Sequence, residues 1–388
     1  MTTSNKLKVY LIAGEPSGDL LGSRLMRALR KKTNNTVEFF GLGGDTMEQE
    51  GLKPLFDISE LAVMGLVEVI PSIPRVLRRI KQTIQDIIRK KPDVVITIDS
   101  WSFCSRIHKG LRKLNTNIKQ IHYVAPQVWA WKKRRAKTMY KYVDELLTLL
   151  PNEPEYFTKH NLKTIFVGHP VIESDALTAD GKIFRKKYNI EDNKQIISVL
   201  PGSRHTEVSK LLPDFIAAAR LLHEQNPDIF FALPTVKTVV NRVKHMIKGT
   251  DLPIAVLETE ADRYSAFQAS SAAIAASGTV ALELAICNIP HIIAYKVSPL
   301  TYLMAKYLVR LRFVNLTNIL LQRPVVPELL QEKCTPKNIV CNINELLKNG
   351  KAYDNQMQGF SEVKDYLSNG NQTPSENAAD AILDMLKC

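Results

Sequence analysis

Short apolar runs alternate with amphipathic stretches along most of the chain. In the first half, KVYLIAG (8–14), VEFFGLG (37–43), DVVITID (93–99), KQIHYVA (119–125), DELLTLL (144–150) and TIFVG (164–168) have the length and β-rich composition of strands. Helical spacing fills the gaps. In LLGSRLMRALRKK, Leu21, Leu25, Ala28 and Leu29 share one face. The second half repeats the theme with QIISVLP (195–201), IFFALPT (229–235), IAVLET (254–259), AAIAA (272–276) and HIIAY (291–295). Its clearest helix spans 206–223, where Val208, Leu211, Leu212, Phe215, Ala219 and Leu222 recur three or four apart.

Alternating strands and helices imply parallel sheets covered on both faces. The pattern therefore predicts an α/β protein of two Rossmann-like parallel-sheet domains facing a cleft, with a helical C-terminal tail. Small and polar residues collect in GHPVIESDALTADG (168–181), which sets domains at 1–170 and 171–345. The tail, 346–388, is polar and helical with Asn-Gly and Thr-Pro breaks. It either returns to the first domain or exchanges with a second copy in a homodimer. In open α/β sheets ligands sit beyond the carboxyl ends of the strands, and the chemical motifs of this chain fall there.

In SVLPGSRHTEV (198–208), a strand breaks at Pro-Gly and delivers Arg204 just before a helix. Helix starts carry unpaired N–H groups, and a guanidinium matches phosphate geometry, so Gly202, Ser203 and Arg204 suggest a diphosphate pocket. An ordinary strand-to-helix loop with a surface arginine would read the same way. ASGTVALELA (276–285) offers Ser277, Gly278 and Thr279 at a second helix start, then Glu283 in an apolar run. A carboxylate there is costly unless paired or turned to a ligand such as a ribose. AGEPSGDLLG (13–22) presents Glu15, Ser17 and Asp19 at the mouth of the turn after the first strand, around Gly14 and Gly18, without the GxGxxG spacing of a nicotinamide site. TIDSWSFC (97–104) sets Asp99 at the end of an apolar strand, as a general base or as a helix cap. HYVAPQVWAWKKRRAK (122–137) joins Gln127, Trp129 and Trp131 to five cations, suiting sugar stacking or an interface, or a core Trp pair before a solvated helix.

The chain has 388 residues and a net charge of +13, of which residues 1–168, with 28 Lys/Arg against 16 Asp/Glu, carry +12. An anionic partner for the first half follows. MGLVEVIPSIPRVLRRIKQTIQDIIRKK (64–91) holds more apolar residues than one buried face needs. Leu66, Val67, Val69, Ile70 and Ile73, beside Arg75, Arg78 and Arg79, fit a segment lying on an anionic membrane. From Val76 onward the same stretch also reads as a crossover helix on the sheet. Five cysteines of irregular spacing, with no CxxC, indicate reduced thiols. The start, MTTSNKLKVYLIAG, lacks a signal-peptide pattern, and 271–295 reads as strand, helix and strand rather than a membrane span. No HxxxH, HExxH, Asp-x-Asp or GxSxG is present, so neither a metal nor a serine triad is expected.

Taken in order, AGEPSGD (13–19), MGLVEV (64–69), Asp99, YVAPQVWAW (123–131), FVGHP (166–170), LPGSRHTEV (200–208), SGTVALE (277–283) and VVPELLQ (325–331) resemble the lipid-A-disaccharide synthases, which are GT-B glycosyltransferases. The resemblance implies an inverting transfer that uses no metal or cofactor. UDP-2,3-diacylglucosamine would donate its sugar to 2,3-diacylglucosamine 1-phosphate at the cytoplasmic face of the inner membrane. It implies Arg204, Gly202, Ser203, Ser277, Gly278, Thr279, Glu283 and Asn318 around UDP. Asp99, then Glu15, would be the base, with Arg204 assisting departure of UDP, and Ser17, Gly18, Gln127 and Trp129 would line the cleft. Two departures stand out. Trp101 and Cys104 replace a usual Pro and Asn, with Ser102 where some members carry a second acid. Thr317 replaces a usual proline. A soluble UDP-N-acetylglucosamine 2-epimerase or a peptidoglycan-type transferase would share the nucleotide end, but an epimerase has no use for an apolar–basic 64–75. A nucleic-acid-binding protein would need its cations in a stripe with stacking aromatics, and no such module is seen.

Overall fold

The computed structural model describes residues 6–61, 66–126, 128, 135–297 and 312–387, with the side chains of 66–72 left out. Two compact units emerge, Met1–Pro170 with Leu367–Cys388, and Val171–Tyr366.

The first unit is built on six parallel strands, β1 (Leu7–Ala13), β2 (Val37–Leu42), β3 (Val94–Ile98), β4 (Lys119–Tyr123), β5 (Glu145–Thr148) and β6 (Lys163–Phe166). Their order is β2-β1-β3-β4-β5-β6. All five residues of β3 are buried, as expected of a central strand covered on both faces. Helix Pro16–Lys32 packs Leu21, Leu25, Met26 and Leu29 onto one face of the sheet. It closes on Arg30, Lys31 and Lys32, cations that suit the negative end of the helix. Helix Leu66–Lys90 covers the other face through Ile80 and Ile87. It is one continuous helix, although it contains Pro71 and Pro74; the apolar segment before Val76 is thus its first turns, not a separate element.

The second unit holds β7 (Ile196–Leu200), β8 (Phe230–Pro234), β9 (Ile254–Leu257), β10 (Ala272–Ala275), β11 (His291–Tyr295) and β12 (Glu328–Leu330), also all parallel. The order is β12-β11-β10-β7-β8-β9. Helix His205–Gln225 buries Val208, Leu211, Leu212, Phe215, Ala219 and Leu222 against it, the face read from the sequence. Each full burial of a Leu, Val or Phe contributes about 1.5–3 kcal/mol.

The tail divides at 367, not at 346. Helix Lys351–Leu367 stays with the second unit, where Gln356 holds both main-chain groups of His291 and Phe360 stacks on its ring. Helix Pro374–Lys387 packs Ala378, Ile382 and Met385 into the first unit's core. Lys31–Glu376 (2.6 Å) and Lys32–Asp380 (2.7 Å) fasten it to helix Pro16–Lys32 of the same chain.

Candidate active site

Each sheet reverses its winding direction once. The switch lies between β1 and β3 in the first unit and between β7 and β10 in the second. Loops leaving such neighbouring strands in opposite directions open a crevice at their carboxyl ends. Both units use it.

In the first unit a cavity of about 520 Å³ opens beyond β1 and β3, lined by Gly14, Glu15, Asp99, Ser100, Trp101 and Ser102 among others. Asp99 and Ser100 have φ of 51° and 42°, and Val124, on the loop after β4, has φ of 80°. Positive φ is uncommon for any residue but glycine and is an outlier for a β-branched one. Three such residues around one cavity store roughly 1–3 kcal/mol each, the pattern of a functional site. Asp99 is half-buried. Burial, then the nearby charge of Glu15, raises its carboxyl above the ordinary value, while the Ser100 N–H opposes them. Ser100 Oγ donates to Glu15 Oε1 at 2.9 Å and so links the two acids. Below them lies a buried polar floor. Thr97 Oγ1 meets His108 Nε2 (2.8 Å) and His122 Nδ1 (2.6 Å), and the Trp101 ring lies 4.7 Å from that of His122. Burial pushes His108 down to about 4 and His122 well below its usual value, so both are neutral near pH 7, and being fully buried and held on Thr97 they do not line the cavity that Asp99 faces. Trp101 and the fully buried Cys104, the departures from the family pattern, are thus absorbed by this floor and wall.

In the second unit a cavity of about 420 Å³ gathers Gly202, Ser203, Arg204, Ser277, Gly278, Thr279 and Glu283. Sequence separation between its two halves is bridged by the pairing of β7 with β10. Arg204 occupies the N-cap position of helix His205–Gln225, and its side chain is 63% exposed. Its guanidinium donates to Glu207 Oε1 at 2.7 Å. Glu207, itself buried, also accepts from the N–H of Ser203 (3.3 Å) and Arg204 (3.4 Å) and from Tyr295 Oη (3.0 Å). Sequence reading passed over Glu207; its place three residues after the cap, where a Glu reaches back to the loop, was the available signal. It also missed Arg263, which lies 3.6 Å from Glu283 and lines the cavity from a helix with no motif. That pairing explains how Glu283 is tolerated in its apolar run.

Gly202 has φ of 103°, and a Cβ there would stand 2.5 Å from Glu207 Oε2. Gly202→Ala is therefore expected to destabilise the protein by about 1–3 kcal/mol in urea unfolding. A wild-type urea unfolding curve would show that this close approach is not needed.

Other expectations are corrected. Asn318 is fully buried, and its amide is spent on Val325 N, Val326 N, Val326 O and Glu328 Oε1, so its side chain shapes the loop rather than touching a nucleotide. Asp19 does not sit at a mouth. It is buried and accepts from Gly44, Thr46 and Met47, holding the loop after β2. Gly18 is buried, where a Cβ would meet the Ile98 carbonyl oxygen at 3.4 Å, so it serves close packing; Ser17 is exposed and is not among the cavity's lining residues. Arg79 turns inward, gripping Glu60 with its guanidinium over the Phe56 ring, and is not a free membrane cation. Ile73 (46% exposed), Leu77 (52%), Arg75 and Arg78 do face outward. Gln127 and Trp129, and the side chains of Leu66, Val67, Val69 and Ile70, lie outside the described residues. Among the described residues no helix is long and apolar enough to cross a membrane.

The lipid-A-disaccharide synthetase family model matches residues 9–382. The lipid-A-disaccharide synthase of Paramagnetospirillum magneticum is 48% identical over 381 residues, covering 98% of this chain and 97% of that one. Among solved structures, a Neisseria meningitidis UDP-GlcNAc 2-epimerase bound to UDP-GlcNAc has a TM-score of 0.66 at 12% identity, covering 98% of this chain and 100% of that one. Acinetobacter baumannii MurG has a TM-score of 0.56 at 13% identity, covering 98% and 99%. These two likenesses describe a GT-B-like fold and nothing further.

Proposed function

The chain belongs to the lipid-A-disaccharide synthase family of glycosyltransferases, which acts in lipid A biosynthesis, and on that premise we propose how its two cavities divide the reaction. The second unit grips the UDP end of UDP-2,3-diacylglucosamine. The first unit takes 2,3-diacylglucosamine 1-phosphate and presents its 6-hydroxyl to Asp99. The observation that carries this reading is the coincidence of chemistry with topology: carboxylates gather at the switch point of one sheet, a guanidinium and small-residue loops at that of the other.

Asp99 accepts the 6-hydroxyl proton as that oxygen attacks the anomeric carbon of the donor. The bond from that carbon to the UDP oxygen breaks, its electron pair leaves with the diphosphate, and the configuration inverts. Charge develops on UDP, and Arg204, with N–H groups around Ser277 to Thr279, would offset it. Glu283 takes the ribose hydroxyls. The test is UDP release from acylated against non-acylated UDP-glucosamine donors, with diacylglucosamine 1-phosphate as acceptor. Equal rates with both donors would reject the acyl-bearing substrates.

Acyl chains also require contact with a bilayer. Ile73 and Leu77 are exposed on helix Leu66–Lys90 and line the first cavity, beside the exposed Arg75 and Arg78. That surface docks on anionic lipid at the cytoplasmic face of the inner membrane. Ile73→Asp with Leu77→Asp should cut binding to phosphatidylglycerol vesicles by roughly 100-fold or more, since each residue withdraws about 1.5–3 kcal/mol of apolar burial. UDP affinity should be unchanged. Vesicle sedimentation equal to wild type would place the contact elsewhere.

A further inference from the structure

The first cavity is lined by two cations that the transfer chemistry leaves unused. Arg106, on helix Trp101–Lys113, and Arg135, at the start of helix Ala136–Met139, both line it. Arg106 donates to the Ser102 carbonyl oxygen one turn back. Among the described residues neither guanidinium has a carboxylate within ion-pair distance, whereas Arg79 and Arg112 of the same unit are tied to Glu60 and Asp144. The cavity's own acids, Glu15 and Asp99, are not their partners. The raised carboxyl of Asp99 feels burial and Glu15, with no described arginine offsetting them. The lining of one cavity thus holds two carboxylates and two guanidinium groups that pair with no described carboxylate.

We propose that Arg106 and Arg135 form a phosphomonoester site that takes the 1-phosphate of the acceptor sugar. The inference rests on the reading of this cavity as the acceptor site. Three kinds of wall match three parts of that substrate. Glu15 and Asp99 meet the attacking hydroxyl, Ile73 and Leu77 meet acyl chains, and the arginines meet the phosphate. A phosphate dianion entering a cavity with two carboxylates is repelled unless cations hold it apart from them, and the guanidinium fork suits its oxygens. The site also fixes the acceptor's direction. With the phosphate held at one wall, the far end of the sugar carries its hydroxyl toward Asp99.

The test uses the full-length protein in nonionic micelles, with 2,3-diacylglucosamine 1-phosphate and its 1-O-methyl counterpart as acceptors. R106A, R135A, the double variant and R106K/R135K are compared with wild type, and UDP titration reports that each variant is folded. Each alanine should raise the KM for the phosphorylated acceptor about 10- to 100-fold, the scale of a charged hydrogen bond. The donor KM should stay unchanged, and the lysine pair should fall between wild type and the double alanine. In the double variant the preference for phosphate over methyl should disappear. Retention of the wild-type preference overturns the proposal. So does loss of phosphatidylglycerol-vesicle binding with the preference intact, since the arginines would then serve bilayer headgroups. Absence of wild-type turnover with both acceptors would instead sink the acceptor reading itself.

Discussion

Asp99→Asn should lower turnover by about 100- to 10,000-fold, the usual contribution of a positioned general base, while UDP affinity stays at its wild-type value. Asparagine keeps the shape and tolerates the left-handed backbone at this position, so the change removes proton acceptance and little else. The pH dependence identifies the base. Asp99 must be ionised to act, and burial and Glu15 raise its carboxyl, so kcat/KM should fall with falling pH above the ordinary carboxylate range. Glu15→Gln removes one of the charges that raise it, so the acid limb should move to lower pH with turnover retained. If Glu15 were the base, that variant would be dead and Asp99→Asn would survive. Stability supplies a second readout. A carboxyl raised on folding contributes stability below its unfolded value and loses it as pH rises through its folded value. Asp99→Asn should therefore melt higher than wild type near pH 7 and equal to it in acid. A wild-type rate in Asp99→Asn would remove this residue from the mechanism.

Much of this architecture was legible because strand chemistry is local. Eleven strands, as in Ile196–Leu200 and His291–Tyr295, are short, apolar and bounded by turn residues. β12 escaped because it is three residues long at a sheet edge, where pairing with β11 rather than composition defines it. The helix through Pro71 and Pro74 escaped because each proline removes a backbone bond, which sequence pattern treats as a stop. Site residues divide in the same way. Asp99 directly follows an apolar strand and Arg204 caps the helix just after one, so their position alone signals a crevice. Asn318 and Asp19 sit in motifs that look equally chemical, yet each is consumed by loop amides that only the tertiary structure brings near. Arg106 and Arg263 carry no motif, Arg135 is only one of five cations in 122–137, and folding alone puts the three on cavity walls.

Arg204→Ala should cost about 100- to 1,000-fold in kcat, or about 2.7–4 kcal/mol, as expected for removal of one preorganised donor to developing charge. UDP should also bind more weakly, because the product carries the full charge that the transition state only begins to show. The exposed guanidinium gains its effect from Glu207, which holds one of its nitrogens together with the N–H of Ser203 and of Arg204 itself. Without that anchor, a long side chain at a helix start would lose more rotamer entropy on meeting the diphosphate. Glu207→Gln should therefore reduce kcat in the same direction by less, and the double variant should be no slower than Arg204→Ala alone, since Glu207 acts on the reaction through the arginine. A double variant slower than Arg204→Ala by the full Glu207→Gln factor would mean that the two act independently. Unchanged UDP affinity in Arg204→Ala would count more heavily, because it would detach the guanidinium from the nucleotide and leave the second cavity without its diphosphate contact.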